Sequence, residues 1–492
     1  MDAATDRRGA ALAVLCASAL MIVLDSTIVA IAIPAIQHDL GFPEAGVAWV
    51  VNGYLVSFAG LLLLSGRLGD LLGAWRVFLA GLALFTVASL LCGFAGSAGL
   101  LVAGRFVQGA GGALASAVVI GMIVRLYPAP GEQARAMGVY SFVQAGGAAI
   151  GFVLGGVLTD TVGWAWIFLI NVPVGLAVGV AALRVLPREP GVRAGGVDVL
   201  GALLVTGGLS LGVYAIVQSG LGAGVGAVLL VGGFLVRQRY AAQPLIALRL
   251  LARPWLLLTN ATVVLIFAAG LGFQFLNTLN LQRVMGYDPL TTAAAFLPTP
   301  IMIGVVSLFV APRVVARFRP RRVQIAGLSL LVVGLAWLGL APAGLPYPTG
   351  MLPALIVMGL GVGVTVPAMI MLSMAGAEPC DTGMVSGLNN TAQQAGAALG
   401  LAVLAAVAAA VTGTPVTPAT LHDGYSAAFL VTAAFAAAAL LITVFALRRP
   451  PAADVPAAAA SAASGRAAVD LTVPAQPASS PGERFVAGCP AG

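Results

Sequence analysis

Two ionisable residues lie inside long apolar stretches of the sequence. Asp25 interrupts LMIVLDSTIVAIAIPAI (Leu20 to Ile36), and Arg105 interrupts a second apolar stretch at 99–123. Each charge costs about 2.5–3.5 kcal/mol if its side chain faces lipid. These costs predict that both side chains have partners inside the protein. A carboxyl group that can exchange such a partner for a proton is suited to coupling proton movement to another process.

The residues that most often form metal, disulfide or nucleophile sites are few and scattered. No CxxC spacing occurs, and we find no paired carboxylates and no nucleophile constellation. The sequence therefore gives no support for a membrane enzyme, and we expect no metal and no cofactor. The cysteines and histidines are Cys16, Cys92, Cys380, Cys489, His38 and His422.

The composition places most of the chain in lipid. Of its 492 residues, 60% are hydrophobic and 8% are charged, which is too few charges to cover a soluble domain of this size. Windows of about 20 apolar residues, the length that crosses about 30 Å of hydrocarbon, predict fourteen transmembrane helices, spans one to fourteen. Their ranges are 11–33, 46–66, 77–95, 99–123, 136–158, 166–186, 197–217, 221–236, 258–279, 291–311, 323–341, 351–373, 384–410 and 427–447.

The arginines predict the orientation of these spans. The chain contains no lysine, and every arginine in a loop between spans falls on one side except Arg283. By the positive-inside rule that side is cytoplasmic, and an even number of spans then places both termini in the cytoplasm. The first span follows Arg7 and Arg8 but is too long for a secretory signal peptide. The net charge of +7 therefore reflects topology, and we expect no nucleic-acid partner.

The sequence also contains an internal repeat. Gly66 to Leu84 aligns on Pro312 to Leu330 at an offset of 246, and the glycine pattern of span five recurs in span thirteen at an offset of 249. These offsets pair spans one to six with spans nine to fourteen in the same orientation. Parallel repeats of this kind predict two halves with a binding cavity between them near the membrane midplane. The predicted organisation is an N-terminus (1–10), a first six-helix half (11–186), two inserted helices (197–236), a second six-helix half (258–447) and a disordered Pro/Ala/Ser-rich cytoplasmic tail (448–492).

From about Leu20 to its last span, the chain resembles the fourteen-helix drug/proton antiporter branch of the major facilitator superfamily. The resemblance rests on LDSTIVAIAIP (Leu24 to Pro34) in span one, GRLGDLLGAWR (Gly66 to Arg76) between spans two and three, GRFVQGAGGA (Gly104 to Ala113) in span four and WAWIFLINVPVG (Trp164 to Gly175) in span six. It implies an all-α major facilitator fold, with two six-helix halves and two extra central helices. It also implies proton-coupled efflux of drugs or antibiotics by alternating access across a bacterial plasma membrane.

Two glycine-containing motifs are candidates for gating this movement. Glycines in the turn after span two permit a tight connection, while the carboxylate and arginines there can form ion pairs that latch one conformation. In span five, glycines repeat every four residues on one face and permit close helix approach; the resemblance identifies them as the antiporter motif. The candidate gating residues are Gly66, Asp70, Gly73, Arg76, Gly147, Gly151, Gly155 and Gly156.

The chain departs from the family pattern at several positions. Phe152 stands where the span-five motif normally has proline, so the expected proline kink is missing. Ala30 replaces the usual Asn of span one and Ala165 the usual Arg of span six, while Leu71 and Ala74 stand at usually basic positions of the turn. These departures put strict antiport in question.

Asp25 and Arg105 are the candidate proton-coupling pair. At about 1.5 Å per residue, they lie roughly 12 Å and 9 Å below the outer ends of spans one and four, which allows an ion pair between neighbouring helices. Desolvation disfavours the charged carboxylate, whereas a nearby guanidinium favours it, so its proton affinity can change as a cavity opens to either side. Alternatively, Asp25 bonds Ser26, Thr27 or a backbone group structurally, and Arg105 anchors span four by reaching towards the headgroups.

Uncharged amides inside the bundle are the candidate substrate contacts. Because span thirteen contains no acidic residue, we expect a neutral or weakly charged amphiphile rather than a dication. The expected partners are this substrate, protons and membrane lipid, with the protein acting as a monomer. A facilitator or importer in which Asp25 binds substrate and no proton is the alternative, and a channel would not need the repeat. The candidate substrate-binding residues are Gln108, Gln274, Asn277, Asn389, Asn390 and Gln393.

Overall fold

A computed structural model describes most of the chain. The described residues are 3–43, 46–128, 130–188, 191, 196, 198–218, 220–241, 244–245, 253–342, 344–374 and 382–447. The predicted disordered tail (448–492), Cys380 and Cys489 lie outside the described residues.

The described part of the chain is helical and contains no β-strand. Thirteen of its helices are long and apolar enough to cross a membrane, and the helix over the predicted span five has an apolar portion at Ile150–Thr161. The all-helical fold class is therefore confirmed, and the helices are consistent with the predicted fourteen spans. We label them α1 (Ala3–Leu40), α2 (Trp49–Leu72), α3 (Ala74–Gly93), α4 (Ala98–Leu126), α5 (Pro130–Thr161), α6 (Trp166–Val185), α7 (Val199–Gln218), α8 (Leu221–Tyr240), α9 (Pro254–Val284), α10 (Pro289–Val310), α11 (Pro320–Leu340), α12 (Tyr347–Ser373), α13 (Thr382–Thr412) and α14 (Pro418–Ala446).

Several helices extend beyond the apolar ranges predicted from the sequence. The first span was predicted at 11–33, whereas α1 is 38 residues long. The eighth was predicted to end at 236, whereas α8 continues through Arg237 to Tyr240. Hydropathy marks only the portion of a helix that lies in hydrocarbon, while a helix can continue through polar residues into the interfacial region.

The helices form two six-helix halves. In the first half, α4 packs against α2 and α3, α5 against α1, and α6 against α3 and α1. In the second half, α12 packs against α10 and α11, α13 against α9, and α14 against α9, α11 and α13. The main contacts between the halves are α2 with α13 and α5 with α10. The internal repeat equates α2 with α10 and α5 with α13, so these two seams are related by the repeat.

The glycine pattern shared by the two halves has a structural counterpart. On α5, a side chain at Gly147 would meet Leu20, and one at Gly151 would meet Thr27, both on α1. On α13, Gly396 and Gly400 lie against the backbone of α9 in the same way. In each half, glycines four residues apart therefore let two helices approach closely.

The inserted helices α7 and α8 pack against each other beside one seam. α7 contacts α2 of the first half and α13 of the second. Asp198, which immediately precedes α7, accepts hydrogen bonds from Gly201 N at 2.9 Å, Arg237 Nε at 3.1 Å and Gln238 Nε2 at 2.8 Å. Burial by itself raises the pKa of Asp198, but these donors outweigh it and hold the pKa below its usual value. This cluster joins the start of α7 to the end of α8.

Close packing of α3 on α4 generates a stability prediction. A Cβ atom on Gly111 would lie 2.5 Å from Phe85 N and 2.9 Å from Gly81 O, whereas a Cβ on Gly121 of the same helix would meet nothing within 4 Å. Gly111→Ala should therefore destabilise the protein by about 1–3 kcal/mol through overpacking, and Gly121→Ala should not. Thermal unfolding of the purified variants in detergent checks this difference. Equal melting temperatures for the two variants would contradict the described packing.

Candidate functional site

A buried ion pair joins α1 to α4. Asp25 Oδ2 lies 2.6 Å from Arg105 Nη1, and the two side chains are 0% and 1% exposed. Asp25 lies in the middle of α1, and Arg105 faces it from the first half of α4. The helices bring together the two charges that the sequence places at similar depths.

The guanidinium group of Arg105 has further partners on α2, α4 and α6. Its Nε donates to the carbonyl oxygen of Val50 at 2.8 Å, and its Nη1 also donates to Gln108 Oε1 at 2.6 Å. Its Cζ lies 4.5 Å from the ring centroid of Tyr54 and 5.7 Å from that of Phe168. Both distances allow cation–π attraction, so this cation is compensated inside the protein. With its side chain 1% exposed, Arg105 is not anchored in the headgroups.

The carboxylate of Asp25 accepts two more hydrogen bonds at its other oxygen. Gln108 Nε2 donates to Oδ1 at 2.8 Å and Asn171 Nδ2 at 3.0 Å. Gln108 Nε2 is also 2.8 Å from Ser89 Oγ on α3. These donors stabilise the ionised carboxylate where water cannot reach it.

The hydroxyl groups next to Asp25 do not join this arrangement. Ser26 Oγ donates to the carbonyl oxygen of Val23 at 2.8 Å, and Thr27 Oγ1 donates to Val23 O and Leu24 O at 3.0 and 3.1 Å. The expected alternative, in which Asp25 bonds Ser26 or Thr27 structurally, is therefore not observed. We call the side chains of Asp25, Arg105, Gln108, Asn171 and Ser89 the ion-pair network.

The sequence did not reveal the full membership of this network. Gln108 was expected to contact substrate, but it bonds both charged side chains. Asn171 falls inside the quoted span-six motif without an assigned role, and Ser89 has no motif. Gln108, Asn171 and Ser89 stand out in the sequence as polar residues within apolar spans. Polarity alone, however, does not identify the partner of a side chain.

A cavity of about 1640 Å³ lies between the two halves. Its wall is formed by helices of both halves, and its polar lining includes Tyr54 and Gln144 in the first half and Gln274 and Asn390 in the second. The charged side chains among its lining residues are at the arginine-rich end of the bundle: Arg67, Asp70 and Arg125. Because Asp70 and Arg125 are exposed, the cavity reaches the surface at that end.

The predicted substrate contacts separate into two groups. Three of them, Gln274, Asn390 and Gln393, line the cavity. The other three lie outside its lining: Gln108 belongs to the ion-pair network, Asn277 is fully buried, and Asn389 accepts a hydrogen bond from Gln393 Nε2 at 2.9 Å.

Three polar groups of cavity-lining residues have no partner within the described part of the chain. These are Tyr54 Oη, Gln274 Nε2 and Thr299 Oγ1. Thr299 lines the cavity but is not selected from the sequence, because a polar residue in a predicted span does not show which way it faces. An unsatisfied donor in a cavity wall is available to a ligand.

The opposite end of the cavity is closed by contacts between the halves. Phe152 on α5 stacks on Phe296 of α10, with ring centroids 5.0 Å apart and an interplanar angle of 5°. Gln282 Nε2 donates to the carbonyl oxygen of Ile31 at 3.0 Å. Arg283 Nη2 bonds Gln37 Oε1 nearby. Phe152, which replaces the expected proline, thus forms part of this closure.

The remaining candidate gating residues lie at both ends. Gly155 faces the backbone of Ile28 on α1, while Gly156 faces Pro289 and Ala293 on α10 of the other half. In the turn between α2 and α3, Gly73 has φ 94° and its N–H donates to Gly69 O, so glycine permits this tight connection.

In the part of the turn that the structure describes, Asp70 forms no ion-pair latch in this conformation. Arg76 and Asp70 are exposed, and Gly66 and Asp70 line the cavity mouth. Within the described ranges, we find no ion pair that includes Asp70.

Comparisons with known proteins agree with this architecture. The family model described as Major Facilitator Superfamily matches residues 15–401. The cephamycin export protein CmcT of Amycolatopsis lactamdurans is 36% identical over 437 residues, covering 86% of this chain and 90% of the relative. The puromycin resistance protein pur8 of Streptomyces alboniger is 36% identical over 450 residues, covering 87% of this chain and 88% of the relative.

The fold is also similar to solved structures. A bacterial homologue of the human lysosomal transporter Spinster, in an inward-facing and unoccupied conformation, superposes with a TM-score of 0.65 over 90% of this chain and 97% of its own. The sequences are 16% identical, so this similarity concerns the fold alone.

The ion pair generates a second stability prediction. Arg105→Leu leaves the Asp25 carboxylate buried without its cation and should cost about 3–5 kcal/mol, whereas the double variant Asp25→Leu, Arg105→Leu should recover much of this loss. Thermal unfolding of both purified variants measures the difference. A double variant that melts no higher than Arg105→Leu would show that the pair is not energetically coupled.

Proposed function

The chain belongs to the Major Facilitator Superfamily and is a transporter rather than an enzyme, and we propose that it exports small amphiphilic antibiotics or similar compounds in exchange for protons. The observation that carries this proposal is the buried pair of Asp25 and Arg105 beside a cavity that reaches only one end of the bundle in the described structure. The export and resistance functions named for the relatives support the direction and the substrate class.

We infer the orientation from charge. The arginine-rich end lies in the cytoplasm by the positive-inside rule, and both termini are then cytoplasmic in a bacterial plasma membrane. In this orientation the cavity opens inward through Arg67, Asp70 and Arg125. An exporter loads its substrate in such a conformation.

The chemistry of the cavity favours a neutral or weakly charged amphiphile. Its deeper wall consists of apolar side chains with amide and hydroxyl groups, and the charged lining residues lie at the mouth. Gln274 and Thr299 offer polar groups without partners. An amphiphile can bury its apolar part here and use these groups for orientation.

The ion-pair network provides the site for a proton. In the inward-facing state that this orientation implies, the carboxyl group of Asp25 is bound by Arg105, Gln108 and Asn171. When the halves rock to open the outer side, a proton from outside binds Asp25, the attraction to Arg105 weakens, and substrate leaves outward. A return to the inward-facing state restores the ion pair and releases the proton to the cytoplasm.

Rocking of the halves must break the outer closure. The Phe152–Phe296 stack and the Gln282–Ile31 hydrogen bond hold α5 to α10 and α9 to α1. Glycines on α5 allow that helix to keep close contact with α1 while its other face separates from α10. We propose that the transport unit is one copy of the chain surrounded by lipid, with halves 11–186 and 258–447 and the insert 197–236 beside one seam.

The rival function is a facilitator or importer in which Asp25 binds substrate and no proton. Asp25 is 0% exposed, is not among the cavity-lining residues and has its oxygens occupied by three side chains. This arrangement favours a small ion such as a proton over a drug as the ligand of Asp25.

Efflux from cells that lack their own exporters tests the proposed function. Puromycin, a cephamycin and ethidium should leave cells that contain the wild-type protein against a concentration gradient, and a protonophore should stop this efflux. Asp25→Asn, at matched expression, should reduce uphill efflux to the level of cells without the transporter, because the amide does not titrate.

Asp39→Asn is the matched control for this experiment. Asp39 lies on the same helix, but it accepts a hydrogen bond from Trp164 Nε1 at 2.8 Å outside the ion-pair network. This variant should retain protonophore-sensitive efflux. Efflux by Asp25→Asn that remains uphill and protonophore-sensitive would refute the assigned role of Asp25.

A further inference from the structure

The ion-pair network and the cavity are separate in the described structure. Asp25, Arg105 and Gln108 do not belong to the cavity lining. Ser26 and Thr27, which follow Asp25 on α1, do line the cavity, but their hydroxyl groups donate to carbonyl oxygens of their own helix. Exchange of substrate for a proton therefore needs another group that contacts both regions.

Tyr54 on α2 has this position. It is one of the cavity-lining residues, and the centre of its ring lies 4.5 Å from Arg105 Cζ. The neighbouring Phe58 also lines the cavity, with its ring centroid 5.6 Å from that of Tyr54. A change in the position of the Tyr54 ring would change its attraction to the guanidinium group.

The hydroxyl group of Tyr54 is unsatisfied in this conformation. The residue is 2% exposed, and its Oη has no hydrogen-bond partner in the part of the chain that the structure describes. It lies 3.0 Å from the position that a Cβ would take on Gly112, so the absence of a side chain there makes room for it. Leaving a buried hydroxyl without a partner is unfavourable, and this predicts that a partner binds it in another state of the transport cycle.

We propose that Tyr54 is a positioning residue that connects the two ligands. Its hydroxyl bonds a polar atom of the amphiphilic substrate at the end of the cavity, and its ring transmits the resulting shift to Arg105 and thereby to Asp25. This inference rests on the proposed proton-coupled export. It assigns the communication between substrate and proton to one side chain of α2.

Few charged or titratable groups face this region. From the helices packed around it they are Asp25 on α1, Tyr54 itself on α2, Cys92 on α3 and Arg105 on α4; α6 contributes the amide of Asn171. Cys92 Sγ lies 3.9 Å from Gln108 Oε1. Among these groups, Asp25 carries the one carboxyl group.

The test measures the binding of radiolabelled puromycin to the purified full-length protein by equilibrium dialysis between pH 5.5 and 8.5. For the wild type, the Kd should rise as the pH falls, by up to about tenfold per pH unit, because one proton competes with the substrate. Tyr54→Phe keeps the ring and removes the hydroxyl, so its Kd at pH 8.5 should be about 2- to 12-fold higher. Its pH slope should be shallower than that of the wild type, because the substrate no longer shifts the ring. Tyr54→Leu also removes the ring and should flatten the slope.

Phe58→Leu and Asp25→Asn are the controls. Phe58→Leu changes the adjacent cavity wall and should alter the Kd without changing its pH slope, whereas Asp25→Asn should abolish the slope. Melting temperatures of all variants monitor folding. If Tyr54→Leu does not fold, Tyr54→Phe still tests the hydroxyl contact.

The outcomes separate this inference from the proposed function. Two results would overturn the role of Tyr54 and leave proton coupling intact, provided that the wild type shows a pH slope that Asp25→Asn abolishes. These results are a wild-type Kd for Tyr54→Phe and a wild-type pH slope for folded Tyr54→Leu. A wild-type protein that binds puromycin equally at all pH values, or does not bind it, would overturn both.

Discussion

Two opposite charges buried within a lipid-embedded bundle must be satisfied by the protein itself, and the first half of this transporter is organised around that constraint. Asp25 and Arg105 neutralise each other, while an amide from α6, an amide from α4 and a backbone carbonyl from α2 form further hydrogen bonds with them. Four of the six helices contribute a side chain to the ion-pair network, and α2 adds the backbone carbonyl of Val50. Loss of one charge leaves the other buried without its partner.

The two halves share their packing but differ in their chemistry. Close glycine contacts join α5 to α1 and α13 to α9 in the same way. The first half, however, holds the ion pair, whereas the second half presents uncharged groups such as Gln274 and Thr299 to the cavity. In the proposed function, this division gives the proton and the substrate different binding sites, with Tyr54 at the border between them. It is also consistent with the proposal that the substrate is an uncharged or weakly charged amphiphile, since α13 contains no acidic residue.

The sequence predicted the fold better than the details of the site. Apolar length predicted the membrane helices, because a helix in lipid must be apolar over its whole crossing. The repeat predicted the two halves, and the resemblance to the family implied the fold class. Asp25 and Arg105 stand out because a charge is conspicuous in an apolar span. Gln108 and Phe152 were harder to interpret: whether an amide bonds a charge or lines a cavity, and whether an aromatic ring faces lipid or Phe296, depends on helix rotation and tertiary packing that spacing within one helix does not determine.

The central claim is that Asp25 is the group through which a proton gradient drives substrate movement. Purified protein in liposomes tests it most directly, with the cytoplasmic side facing out and an acidic interior, while the accumulation of puromycin is followed over time. The account predicts that the wild type concentrates puromycin inside these liposomes above the level that protein-free liposomes reach by protonating this weak base. It also predicts that Asp25→Asn exchanges labelled for unlabelled puromycin without exceeding that level. Accumulation by Asp25→Asn to the level of the wild type would contradict the account and place proton coupling elsewhere in the protein.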